Sequence, residues 1–93
     1  MFNILSKKSI EVSSMQKIKA DMDIGSNLRN IREDHHYTQD QIVAKLGVRN
    51  ISVTRSTYSR YETGELNVPV SVLVGLHDIY HCSYDDFFFG LHL

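Results

Sequence analysis

Residues 54–64, TRSTYSRYETG, repeat two arginines and several short hydroxyl side chains at a helical spacing. Take Arg55 as origin and roughly 100° per residue: Ser59 then falls at about 40°, Thr63 at about 80°, Ser56 at about 100° and Arg60 at about 140°. Thr57, Tyr58, Tyr61 and Glu62 fall on the opposite side. One face is therefore wholly polar and carries no acid of its own, while the other is aromatic and packs inward. Any solvated helix can show such a polar face, so the side-chain chemistry has to decide. Arginine takes the O6 and N7 of guanine with two N–H groups, and Ser or Thr contacts bases or phosphates. The chemistry on offer is recognition of a polyanion and its base edges.

Other reactive residue types do not assemble into a rival site. His77 and His81 are four apart and Cys82 follows, while His35 and His36 lie elsewhere. Helical i, i+4 histidines can bind zinc, but Cys82 falls past the helix and no Asp or Glu completes a ligand set, so no metal is expected. There is no Gly-rich phosphate loop and no nucleophile beside a base. The one carboxylate pair, Asp85 and Asp86, suits a helix N-terminus better than acid–base work. The sequence predicts neither an enzyme nor a cofactor.

The elements that must hold the polar face are read from periodicity and caps. Ile24, Leu28 and Ile31 recur at helical spacing after Asp23, an available N-cap, predicting a first helix that ends near Asp34. Thr38 stands three residues before Gln41, a capping box opening a second helix with Ile42, Val43 and Leu46 on its apolar face and Gly47 as its stop. Thr54 caps the third helix, to about Thr63, with Gly64 as its stop. Pro69 begins a fourth, through about Tyr80, apolar at Val72, Leu73, Leu76, Ile79 and Tyr80. Ser83 with Asp86 opens a short fifth carrying Phe87 and Phe88, both expected in the core. The fold class is all-α.

Ninety-three residues, 42% hydrophobic and 23% charged, suffice for one small domain with a thin core. No apolar run is long enough for a membrane span. Lysines interrupt the first fifteen residues where a signal peptide needs its apolar stretch, and a single cysteine fits a reducing cytoplasm. The net charge of −1 hides a polarity: all ten Lys and Arg lie at or before Arg60, and five acids follow with no basic residue among them. Local field, not net charge, steers a polyanion, so a positive face is expected. The chain divides into an N-terminal arm (1–22), a helical domain (23–89) and a tail (90–93). Lys7, Lys8, Lys17 and Lys19 make the arm a basic tail adding nonspecific affinity or reaching a minor groove.

Taken in order, these residues resemble the Cro/cI-type (Xre-like) helix-turn-helix family of DNA-binding regulators, over about residues 24–88. The second helix matches the family pattern at Thr38, Gln39, Ile42, Val43, Leu46 and Gly47. The run 54–64 matches its Ser/Thr-x-x-Thr-x-Ser-Arg-x-Glu-x-Gly pattern, and residues 82–87, CSYDDF, are similar to its closing segment. The resemblance implies a five-helix lambda-repressor-like domain. It implies that Gln39 donates to a DNA phosphate beside a helix N-terminus. It places Arg55, Ser56 and Arg60, with Ser59 as a lesser candidate, at base edges in the major groove, and Thr54 and Thr57 at a cap or the backbone. It also implies a structural ion pair between Arg32 and Glu62, whose rupture would strand a buried charge at roughly 3–5 kcal/mol.

Three departures stand out. An extended loop including Arg49, Asn50, Ile51, Ser52 and Val53 separates the second and third helices, and Arg49 is a further phosphate candidate. Val43 stands where the family favours Ala; together with the longer loop it predicts a third helix set further out or rotated. His77 replaces a small residue, which predicts an adjustment against the third helix. The expected function is sequence-specific double-stranded-DNA binding by a transcriptional regulator, as repressor and homodimer, on half-sites roughly 34 Å apart. The rival reading is a protein-interaction module such as an antitoxin, whose apolar tail (Phe89, Leu91, Leu93) closes a dimer or docks a partner protein.

Overall fold

The computed structural model describes residues 23–91, which form five helices and no strand: α1 (Gly25–Asp34), α2 (Gln39–Val48), α3 (Arg55–Thr63), α4 (Val70–Tyr80) and α5 (Tyr84–Phe87). The expectations placed on residues 1–22, the four lysines among them, and on Leu93 lie outside the described residues.

The helix starts follow the caps. At α1 the N-cap is Ile24, one residue later than expected; Asp23 before it still serves the first orphan donor, its Oδ1 accepting from the Gly25 N–H at 2.7 Å. At α2 the capping box closes in both directions: the Gln41 N–H donates to Thr38 Oγ1 at 3.1 Å and the Thr38 N–H to Gln41 Oε1 at 2.8 Å. Thr54 Oγ1 accepts from the Thr57 N–H at 3.1 Å to open α3, and the Ser83 N–H donates to Asp86 Oδ2 at 3.2 Å at α5.

The helix stops differ from expectation at α2. Gly47 is helical; the chain turns left-handed three residues later at Asn50, φ 62°. There the Ile51 N–H bonds Leu46 O at 3.0 Å and the Asn50 N–H bonds Gly47 O at 3.0 Å, the paired bonds of a Schellman motif. His36 (φ 61°) ends α1 in the same way, with the Tyr37 N–H on Arg32 O and the His36 N–H on Glu33 O. His81 (φ 56°) ends α4, and only α3 stops on a glycine, Gly64 at φ 83°.

Leu28, Ile42, Leu46, Tyr58, Leu76 and Phe87 are fully enclosed and form the centre of one core shared by all five helices. Phe88, expected inside, is 44% exposed, because α5 is a single turn and only Phe87 faces inward. The loop between α2 and α3 packs down rather than bulging to solvent. Ile51 and Val53 lie against the core, and Ile51 fills a notch at Gly75 of α4, where a Cβ would come within 2.5 Å of its Cδ1. Val43 is half-buried against the same core. The ring of His77 stacks on Tyr84 of α5, centroids 4.0 Å apart and planes within 10°.

At the start of α1, Gly25 lies against the end of α3. A Cβ there would collide with the main-chain carbonyl of Glu62 and stand 2.7 Å from that of Tyr61, both parts of a helix backbone that cannot yield cheaply. On an open helix Gly→Ala gains up to about 1 kcal/mol. Here Gly25→Ala is expected instead to cost about 2 kcal/mol through overpacking, read as a lowered urea midpoint.

Candidate nucleic-acid interface

Tyr58 is fully buried and Tyr61 and Glu62 are 7% exposed, so the underside of α3 is committed to the core. Arg55, Ser56 and Arg60 are consequently turned to solvent, with Ser59 half-buried beside them. Gln39, from the first turn of α2, joins Arg55, Ser56, Ser59, Arg60 and Glu65 around one shallow open groove. The structure thus brings Gln39, Arg55, Ser56, Ser59 and Arg60, five of the nominated contact residues, to one place. Thr54 does not line the groove: its hydroxyl is engaged in the cap and on Thr57 Oγ1 at 3.0 Å. Arg49 is elsewhere: its Nε donates to Asp78 Oδ2 at 2.7 Å and its Nη1 to the Lys45 carbonyl at 2.9 Å, pinning the α2–α3 loop to α4. Its guanidinium holds the Asp78 carboxyl below the usual aspartate range, chiefly through that hydrogen bond.

Beneath the groove lies the buried ion pair. Arg32 Nε donates to Glu62 Oε2 at 2.7 Å and Nη2 to Oε1 at 2.9 Å, a two-pronged contact whose partners are 11% and 3% exposed; Nη1 reaches the Tyr37 carbonyl at 2.9 Å. Gln39 Nε2 donates to Glu62 Oε1 at 3.0 Å. The residue assigned to a phosphate is therefore already oriented by the protein, with a second amide N–H still to give. Burial pushes the Glu62 carboxyl up, but hydrogen bonding, above all from Arg32, outweighs it and holds it below the usual range. The same hydrogen bond raises Arg32 further. Burial pushes the neighbouring phenols of Tyr58 and Tyr80 well above theirs.

The electrostatics of the groove correct the expectation of a positive, acid-free face. Arg60 Nε meets Glu65 Oε1 at 3.0 Å, and Arg55 Nε lies 3.7 Å from Asp40 Oδ1. No acid lies on the outward arc of α3 itself; both carboxylates arrive from other segments, Asp40 from the first turn of α2 and Glu65 from just beyond Gly64. A projection of one helix cannot see them. Residues 23–91 carry six Lys and Arg against nine Asp and Glu, and only half of the positive excess that precedes Tyr61 falls within them. All four side chains of these two pairs are more than half exposed, so each contact is weak and readily exchanged.

The histidines have other work. His81 is past the end of α4 in a left-handed turn, so it does not share a helix face with His77; His36 holds the turn after α1; His35 packs on Tyr80 at 4.7 Å. Among the described residues no three His, Cys, Asp or Glu side chains gather as a metal site, and burial pushes the Cys82 thiol up. No described helix is long and apolar enough to cross a membrane. Compared with known proteins, residues 23–87 match a helix-turn-helix domain. No curated protein and no solved structure matches the chain.

The depressed Glu62 carboxyl sets a pH dependence. Its folded value lies below the ordinary 4.5, so the pair's contribution is complete above about pH 4.5 and is lost as pH falls through the lower folded value. Urea unfolding at a series of pH values is expected to show that acid fall in the wild type. Glu62→Gln should flatten it and start from a lower stability at pH 7.

Proposed function

The chain belongs to the helix-turn-helix domain family, and from that premise we propose that it is a sequence-specific, double-stranded-DNA-binding transcriptional regulator, acting as a repressor in the cytoplasm. In this reading α3 enters the major groove and presents Arg55, Ser56, Ser59 and Arg60 to base edges, while Gln39 and the N–H groups at the start of α2 take a phosphate. The observation that carries it is the rotation of α3. With Tyr58, Tyr61 and Glu62 locked inward, the two arginines and Ser56 stand together on an open groove beside the α2 N-terminus. Thr54 contributes by capping α3, and Arg49 acts through the α2–α3 loop. The protein binds and does not catalyse.

Selection from random duplexes at fixed salt, followed by gel shift, tests this. Arg55→Ala and Arg60→Ala are each expected to cost about 1–3 kcal/mol and to relax preference at one base pair. Gln39→Ala should weaken all sequences alike. Unchanged discrimination in the double arginine variant would remove α3 as the reader.

One half-site gives so small a domain little affinity, and a homodimer on half-sites one helical turn apart answers that. We place its contact at the C-terminal end, where Phe89 is 79%, Phe88 44% and Tyr84 42% exposed, with Leu91 half-buried beside them. Such a surface equally suits a partner protein, the antitoxin-like alternative. Phe88→Ser with Phe89→Ser is expected to shift the sedimenting species from dimer to monomer and leave the melting temperature nearly unchanged. A wild type that sediments as a monomer, alone and on DNA, would refute the dimer.

A further inference from the structure

Two carboxylates on the reading face have no place in the scheme above, and both touch the arginines that carry it. Glu65 Oε1 accepts from Arg60 Nε at 3.0 Å, and Asp40 Oδ1 lies 3.7 Å from Arg55 Nε. We propose that Glu65 and Asp40 are specificity-determining residues: Glu65 on Arg60 and Asp40 beside Arg55 offset the positive charge of the groove while leaving the arginines' outer edges to a matching base. The inference rests on the DNA-reading assignment of α3.

The argument is one of geometry and charge. A guanidinium has five N–H groups; the Glu65 hydrogen bond takes only Nε of Arg60, and Asp40 stands 3.7 Å from Nε of Arg55. The outer edge carrying Nη1 and Nη2 remains, and two parallel N–H groups are what the O6 and N7 of guanine accept. A base edge can therefore be bound without breaking the carboxylate contact. A phosphate is a different case. Backbone binding gains from net positive charge, and here each arginine comes with its own anion, so nonspecific attraction is reduced at each position. The arrangement suppresses binding to arbitrary sequence more than binding to the matching one. The 3.0 Å contact makes Glu65 the stronger determinant and the 3.7 Å contact makes Asp40 the weaker.

The magnitude follows from counterion release. Removing one opposing negative charge steepens the salt slope by up to about 0.9, which at 0.1 M salt is roughly an eightfold gain in nonspecific affinity. The experiment uses the full chain with Glu65→Gln, Asp40→Asn, Arg60→Ala, Arg55→Ala and the control Asp85→Asn, an exposed carboxylate on α5. Each is measured by gel shift across a salt series on the duplex enriched by selection, its single-base-pair variants and a shuffled duplex of equal length. Thermal melts confirm folding; Glu65 and Asp40 are surface residues. Glu65→Gln is expected to bind shuffled DNA about eightfold more tightly and the enriched duplex less than twofold more tightly. It should also relax preference at the same base pair that Arg60→Ala relaxes. Asp40→Asn should do the same, more weakly, at the base pair assigned to Arg55. If the wild type separates enriched from shuffled DNA and Glu65→Gln behaves as Asp85→Asn does, this inference falls and the reading of α3 stands. If the wild type separates no two duplexes, both fall together.

Discussion

The position of α3 depends on one buried carboxylate. Glu62 accepts two N–H groups from Arg32 of α1 and one from Gln39 of α2, and Arg32 adds a bond to the Tyr37 carbonyl between those helices. Three helices are thereby referred to a single side chain that is 3% exposed. Such a pair is not a strong source of net stability, since taking both charges out of water offsets most of their attraction. Its effect is directional. A two-pronged contact tolerates little rotation, and any turn of α3 about its axis would separate Glu62 from its partners and lift Tyr58 from the core. The arginines face outward because the glutamate cannot leave.

The same pair joins the interior to the surface. Gln39 lines the groove and also bonds Glu62, so the side chain nearest the α2 N-terminus has its amide set by the core. Holding a polar group in place before a ligand arrives lowers the ordering that binding must impose. Above that held layer, the exposed pairs of Arg55 and Arg60 are loose and exchangeable. The site is rigid at its base and yielding at its face.

Much of this was legible in local sequence. The reciprocal Thr38–Gln41 cap, the Thr54 cap and the Gly64 stop are short-range devices, each written within a few residues, and the structure contains them all. The spacing of Arg55, Ser56, Ser59 and Arg60 against Tyr58 and Tyr61 fixes which way α3 turns once a core exists. What local sequence did not show falls into two kinds. His36, Asn50 and His81 end helices in the left-handed region at a cost that glycine avoids, so the expected marker was missing and Gly47 drew attention to the wrong place. The partners of Arg49, Arg55 and Arg60 come from α4, α2 and the loop after α3, and no helical projection reports a neighbour on another element. An acid-free arc on one helix is not an acid-free surface.

The long α2–α3 connection shows how a fold carries a long loop without loosening what it joins. A flexible loop of added residues would raise the entropy of closing the two helices only slightly, but it would also leave their relative placement to other contacts. Here the extra length is tied to α4 twice, by Ile51 in the notch at Gly75 and by Arg49 on Asp78. The Schellman turn that begins the loop sets Ile51 beside Leu46, so the end of α2 and the anchor of the loop are one packing unit. Meanwhile α3 takes its orientation from α1 and α2 through Glu62, independently of the loop's path. An arginine that sequence alone offered to a phosphate becomes a brace, and the groove is left to the residues that α3, the start of α2 and Glu65 place around it.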